Sequence, residues 1–379
     1  MPLTAVPRRH LSIAPLAAGG PVALLALLLA ACGAPGGESA VAAIAPAAGP
    51  PAPAIQRLDP PAGPGAMAPN LHAGAGGVYL SWIEPVDGGH RLRVSRLEGR
   101  TWSEPADVAR GTTFFANWAD VPGVVEAEDG ALYAHWLEKL GPGTYAYGVQ
   151  LARSADGGRT WEGLGLLHDD ASETEHGFVS WQPLDDGVQA AWLDGRATAD
   201  GGAMQLRATT VSAGGPQPST VVAPSVCDCC PTAMARTAGG PIVAFRGRTE
   251  GEIRDVAVAR AAGGAWSAPL EVHDDGWRIA GCPVNGPSID ADGERVAIAW
   301  FTAAGARARV QAAFSDDGGA TFGPPILLDA DKPLGRVGLV LDGDAAWVLW
   351  LATRDGRGEL RLQRIQGDHP TTPPILITP

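Results

Sequence analysis

Positive charge is scarce in this chain. Its 28 Lys and Arg stand against 41 Asp and Glu, for a net charge of −13, and they form no basic stripe. A nucleic-acid partner needs a basic face to neutralise phosphates, so that class is excluded. Long hydrophobic runs are missing too. Outside residues 22–31 there is no membrane-span candidate, and that run falls short of the roughly 20 residues a helical crossing needs. Cysteine is sparse, with five in the chain, and there is no second C-x-x-C pair to complete a zinc ribbon. Tyrosine is limited to Tyr79, Tyr133, Tyr145 and Tyr147. What is abundant is glycine (51) and proline (33), set between short alternating apolar runs. That distribution suits an all-β fold with many turns.

The runs are periodic. Six apolar segments end in an aromatic, at Trp82, Trp136, Trp192, Phe245, Trp300 and Trp350, at intervals of 50 to 56 residues. Each is followed by a second strand-like run and then a turn. Self-similarity at this period, with several short strands per unit, is the signature of a propeller. Six units predict a six-bladed β-propeller with four-stranded antiparallel blades.

Two of the turns carry a motif. SADGGRTW supplies Ser154, Asp156, Gly158 and Trp161, and SDDGGATF supplies Ser315, Asp317, Gly319 and Phe322. The Asp accepts hydrogen bonds from nearby backbone N–H groups, the glycines allow φ > 0, and the aromatic tucks beneath. The pattern resembles the Asp-box, or BNR repeat, of sialidase-like β-propellers. The resemblance implies that these turns are structural and lie at the periphery, away from the ligand site. It also implies a test of activity. Sialidases hold the substrate carboxylate with three arginines, and use a Tyr nucleophile activated by a Glu together with an Asp acid/base. The Arg-Ile-Pro opening of that family is absent. The nucleophile falls late in the family's chains, whereas no Tyr follows residue 147 here. No catalytic residue carries over, and ordinary exo-sialidase activity is not expected. A diverged glycosidase would need two acids about 5–9.5 Å apart, with Glu84, Asp120, Glu138 and Asp194 as candidates.

The N-terminus reads as an export signal. Arg8 and Arg9 precede the apolar run, which ends Leu29-Ala30-Ala31-Cys32. Residues 1–32 are expected to be a bacterial lipoprotein signal peptide with Cys32 lipidated. Residues 33–55, rich in Ala, Pro and Gly, form a flexible tether, and 56–379 the propeller. The protein is expected to face the periplasm, held at the outer membrane by its lipid alone. The segment Ala54 to Leu58 and the C-terminal PILITP from Pro374 are candidates to close the ring, one supplying the outer strand of the other's blade.

Counting back from the aromatic anchors places Met67, Trp118 with Asp120, His176, Cys230, Cys282 and Arg336 around one mouth of the propeller axis. Pockets form at such a mouth. C-D-C-C at Cys227, Cys229 and Cys230, with Cys282, gives an even set of four. In an exported protein this predicts disulfides first. Adjacent Cys229 and Cys230 are expected to point apart in an extended chain. The alternative is a copper or zinc site, with His168, His176 and His273 as further candidate ligands. His168 and His273 each open a His-Asp-Asp sequence, which reads first as a solvated turn. Arg246, Arg248 and Arg336 are candidates to bind a carboxylate, alongside Trp118 and Asp120. No cofactor is required. The expected role is binding of a glycan or an envelope protein at the funnel, with the diverged hydrolase and a metal or redox protein as alternatives.

Overall fold

The aromatic-ended run of each repeat is nearly continuous in apolar residues because it is covered on both faces. IVAF before Arg246 and VAIAWF before Thr302 are buried throughout, whereas the outer run TVVA is half exposed. A computed structural model describes residues 55–367 and 369–377. The expected signal peptide, Cys32 and the expected tether up to residue 54 lie outside the described residues.

The described chain is all-β. Two short 3₁₀ turns, Arg196–Asp200 and Ala304–Ala306, are its only helical segments, and no helix among the described residues is long and apolar enough to cross a membrane. Six antiparallel sheets follow in chain order, over 67–111, 123–166, 176–223, 233–271, 288–329 and 333–376. Each has an inner strand, two middle strands and an outer strand, which is split into two short pieces in four of the sheets. This agrees with the six four-stranded units read from the sequence. Five apolar clusters fill the five successive interfaces between neighbouring sheets. Inner strands are also pinned to one another: the Leu339 N–H donates to Ser288 Oγ, and Thr232 Oγ1 donates to Phe178 O.

Burying the aromatic anchors creates a demand. Each indole carries an N–H that needs an acceptor once it leaves water. In five repeats a carboxylate meets it. Trp82 donates to Glu84 (2.7 Å), Trp136 to Glu138 (2.8 Å) and Trp192 to Asp194 (2.9 Å). Trp300 donates to Asp275 (2.7 Å) and Trp350 to Asp329 (2.5 Å). The sixth anchor, Phe245, has no N–H. Glu84, Glu138 and Asp194 are therefore fold residues, each committed to its own sheet. Burial alone would raise the Glu84 carboxyl, but the Trp82 indole, the Gly63 N–H and Arg91 outweigh it and hold the group at about 2. Trp192→Phe is expected to lower the unfolding free energy by about 2 kcal/mol, through the lost charge-assisted bond and ring area. Urea denaturation checks this; an unchanged midpoint would show that the indole bond contributes nothing.

Both Ser-x-Asp-x-Gly turns have the expected mechanics. Ser154 Oγ donates to Asp156 Oδ1 (2.8 Å) and accepts the Gly158 N–H (2.9 Å). Asp156 also accepts the N–H groups of Arg159 and Thr160 and the Thr160 hydroxyl. These bonds, with the Thr160 N–H foremost, hold its carboxyl down at about 2. The Trp161 indole donates to Gly158 O (3.1 Å). Ser315, Asp317, Gly319 and Thr321 repeat the arrangement, with Phe322 in the aromatic place. Each turn joins the third strand to the outer strand. Antiparallel alternation therefore puts the turns at the opposite end of the sheets from the starts of the inner strands.

Among the described residues the expected strand exchange between termini does not occur. Ile375–Leu376 pairs with Arg361 and Leu362 of its own sheet. Residues 55–66 form no strand and contribute the Gly63 N–H to Glu84 instead. The sixth sheet's third strand offers its free edge directly to the residues that follow, so the shorter connection is taken.

Candidate functional site

The connectors at the inner-strand end converge on a cavity of about 570 Å³. Asn117 and Trp118 come from the connector between the first two sheets, Tyr145 from the loop before the third strand of sheet 2, and Glu175 from the next connector. Asp228 with Cys229, and then Cys282, come from the two connectors after that. The rim is aromatic: Trp118 is 69% exposed and Tyr145 64%. The Arg336 guanidinium stacks over the Trp118 ring at 4.6 Å, and no carboxylate among the described residues pairs with it. Arg336 sits at a β-bulge with φ +55, where its N–H donates to Asn285 Oδ1. Burial lowers its pKa from the ordinary value.

Beneath the rim lies a buried acid set. Asn117 Oδ1 accepts the N–H groups of Ala119 and Asp120, a tight turn that sends Asp120 inward. Asp120 is 3% exposed and neither oxygen has a hydrogen-bond partner. The Phe178 N–H and the Tyr147 hydroxyl lie close without reaching bonding geometry. Burial pushes Asp120 up to about 8. Its space depends on Gly177, where a Cβ would collide with Asp120 Oδ2. Tyr147 donates to Glu175 Oε1 at 2.6 Å, and burial raises Glu175 to about 7. Burial, followed by the charges of Asp120 and Glu175, raises the Tyr147 phenol well above its ordinary range. At neutral pH the set holds protons that isolated carboxyls would release; Tyr147 and Glu175 both line the cavity, and Glu175 is the carboxyl that does so.

The thiols form the adjacent wall. The four cysteines among the described residues are free, so none of the expected disulfides is present there. Cys227 Sγ stands 3.2 Å from Cys230 Sγ and 4.0 Å from Cys229 Sγ. A turn at Asp228–Cys229 curls the loop, so Cys229 and Cys230 converge rather than point apart as an extended chain would require. Arg254 Nη1 donates to Cys227 Sγ at 3.2 Å. The Cys229 and Cys230 thiols, then Arg254, pull the Cys227 thiol down, while Cys229 and Cys230 are pushed up.

The structure separates the sequence candidates. Trp118, Cys229 and Cys282 line the cavity, Asp120 lies under it and Arg336 backs Trp118. Met67 and His176 open inner strands but line no part of it. The histidines do not join the thiols. His168 Nδ1 bonds Asp170 O, its Nε2 accepts the Val149 N–H, and it stacks on His176 at 3.9 Å. His176 Nε2 lies 3.1 Å from Asp170, and His273 lies beside Asp275. Burial lowers His168 to about 4. Arg246 is buried and bonds only backbone carbonyls, and Arg248 is committed to Asp228 and Glu252. Neither is free to bind a carboxylate. Tyr147 and Glu175 were not anticipated, because the family pattern sets its nucleophile late in the chain. The signal was there: Tyr147 opens the third strand of its sheet, and so stands at the inner-strand end.

No protein-family model matches the sequence, and no curated protein matches it. Solved structures do. A polysaccharide lyase, an ulvan lyase bound to -[GlcA(1-4)Rha3S]-, superposes with a TM-score of 0.51 at 14% identity, covering 80% of this chain and 79% of its own. An α-L-arabinanase of Penicillium chrysogenum complexed with arabinobiose gives 0.51 at 12% identity, over 80% and 94%. A Hadza microbial sialidase gives 0.45 at 17% identity, over 75% of this chain, which spans 63% of that enzyme's length. At these identities the likeness is one of fold: the chain has the β-propeller architecture on which such glycan-degrading enzymes are built.

Proposed function

We propose that this chain is an exported, lipid-anchored protein of the cell envelope that binds an oligosaccharide in the cavity at the inner-strand end. The observation that carries the reading is the rim. Two large aromatic rings, Trp118 and Tyr145, stand exposed over a cavity lined by a few polar groups. Exposed rings of this size are costly to leave in water and offer flat faces to the C–H side of a sugar. Arg336, stacked behind Trp118 with no carboxylate partner, fixes the ring and adds a cation suited to a uronate or sulfate group. The known ligands of the structural neighbours, an acidic disaccharide repeat and arabinobiose, make carbohydrate the first class to try.

The test is calorimetry against neutral, uronic and sulfated oligosaccharides. Trp118→Ala is expected to weaken binding about tenfold to a hundredfold. Unchanged affinity in that variant would remove the rim from the site. For the anchor, fatty-acid labelling is expected in the intact protein and absent in Cys32→Ser; equal labelling of both would exclude it.

A second reading, glycan cleavage, rests on the Tyr147–Glu175–Asp120 set. A cavity-facing carboxyl near 7 is suited to general-acid work at neutral pH. If the protein cleaves a glycan, turnover should fall as pH rises through about 7, and Glu175→Gln should lower it by about 10²–10⁴. Cleavage unaffected by Glu175→Gln would set this reading aside.

A further inference from the structure

We propose that Cys227, Cys229 and Cys230 form a three-thiolate site for a soft monovalent metal ion, copper(I), set into the wall of the cavity. Their sulfur atoms all lie within 4.8 Å of one another. Three sulfurs in a plane about 2.3 Å from a central ion would stand about 4.0 Å apart. The Cys227–Cys229 separation of 4.0 Å already meets that spacing. The Cys227–Cys230 separation of 3.2 Å needs only to open by a fraction of an ångström.

The donor set selects the ion. Among the described residues, the cysteines are the one group of three or more His, Cys, Asp or Glu donors close enough to share a metal. Sulfur alone, without imidazole or carboxylate, favours soft copper(I) over hard cations. Zinc would want a fourth ligand, and the nearest carboxylate in the loop, Asp228, is held by Arg248 at 3.0 and 3.1 Å.

The surroundings suit the charge. Three thiolates around one monovalent ion leave an excess of negative charge, and the Arg254 guanidinium lies against it, its Nη1 donating to Cys227 Sγ at 3.2 Å. The loop is clamped on both sides. The Cys227 N–H donates to Arg246 O, and the Thr232 hydroxyl reaches Ser180 in the preceding sheet. Pro231 packs so closely on Gly286 that no side chain fits there. Cys227 and Cys230 are 1% exposed, whereas Cys229 is half-buried and lines the cavity, which gives an ion its path in. This site stands independently of the carbohydrate reading, because that reading rests on Trp118, Tyr145 and Arg336 and none of them is a ligand here.

The experiment uses the full chain carrying Cys32→Ser, reduced and kept anaerobic, titrated with copper(I) against a chromogenic copper(I) chelator. One ion per chain is expected, with a sulfur-only shell at about 2.3 Å by X-ray absorption. Cys282→Ser should bind as well as the parent. Cys227→Ser and Cys229→Ser should bind at least about a hundredfold more weakly, beyond the effect of losing an outer-shell partner. Cys229 is half-buried, so Cys229→Ser is the variant whose fold is least at risk, and its melting curve is recorded alongside. The proposal is overturned if copper(I) fails to bind stoichiometrically. It is equally overturned if Cys229→Ser binds like the parent, if zinc occupies the three thiols more tightly, or if alkylation of protein taken directly from cells finds two of the three in a disulfide.

Discussion

Replacing Arg246 by alanine is expected to lower the unfolding free energy by about 3–5 kcal/mol, enough to threaten folding at physiological temperature. Arg246 ends the second strand of the fourth sheet and is 1% exposed. Its guanidinium donates to Asn285 O through Nε (3.0 Å) and Nη2 (2.9 Å), to Arg254 O (2.6 Å) and to Phe301 O (2.7 Å). It also lies 4.7 Å over the Trp277 ring. One side chain thus satisfies three carbonyls from its own sheet, from the following connector and from the fifth sheet. Truncation leaves those carbonyls unpaired and opens a void beside Trp277. Arg246→Lys should recover little, because an ammonium cannot reproduce the planar fork. Urea unfolding of both variants checks the claim. A loss below about 1 kcal/mol would return Arg246 to the list of residues free to serve a ligand.

Stability is expected to fall by about 2 kcal/mol between pH 6.5 and pH 8, and Asp120→Asn should remove much of that slope. The folded carboxyl titrates near 8 and its ordinary value is 3.8. Below pH 3.8 both states hold the proton and the group contributes no difference. As pH rises, the unfolded chain releases the proton while the folded chain keeps it, so unfolding is favoured by about 1.4 kcal/mol per pH unit until the folded group also ionises. Glu175 adds in the same direction up to about 7. The neutral histidines His135 and His168, lowered by burial to about 4, act oppositely and cost stability as pH falls below 6.5. The profile should therefore peak in mildly acidic solution. Denaturant midpoints across this range test it: a flat profile, or an equal slope in Asp120→Asn, would contradict the burial of an unpaired carboxyl.

How much of this was legible depended on whether the signal was local. The aromatic anchors and the Ser-x-Asp-x-Gly turns repeat along the chain, so the six sheets could be counted from the sequence. Counting back from the anchors also brought Trp118, Asp120, Cys230, Cys282 and Arg336 to the right end of the sheets. The acids Glu84, Glu138 and Asp194 were misread as site candidates although the signal was present. Each stands two residues after its tryptophan, on the same face of a strand, where an indole acceptor is needed. Arg246 was beyond reach. Its acceptors include carbonyls 39 and 55 residues away, and carbonyls leave no trace in residue identity. The Tyr147–Glu175 bond spans two connectors, and the family pattern directed attention to the other end of the chain. The meeting of the three sulfurs depended on a two-residue turn that side-chain alternation alone does not foresee.

The central claim is that ligands enter at the inner-strand end. Hydrogen exchange of the full chain, with and without a bound oligosaccharide, tests it most directly. Protection is expected in residues 115–120, 143–147 and 282–284, with the turns at 154–161 and 315–322 unchanged. Protection at those turns instead, or no oligosaccharide that binds, would contradict the account.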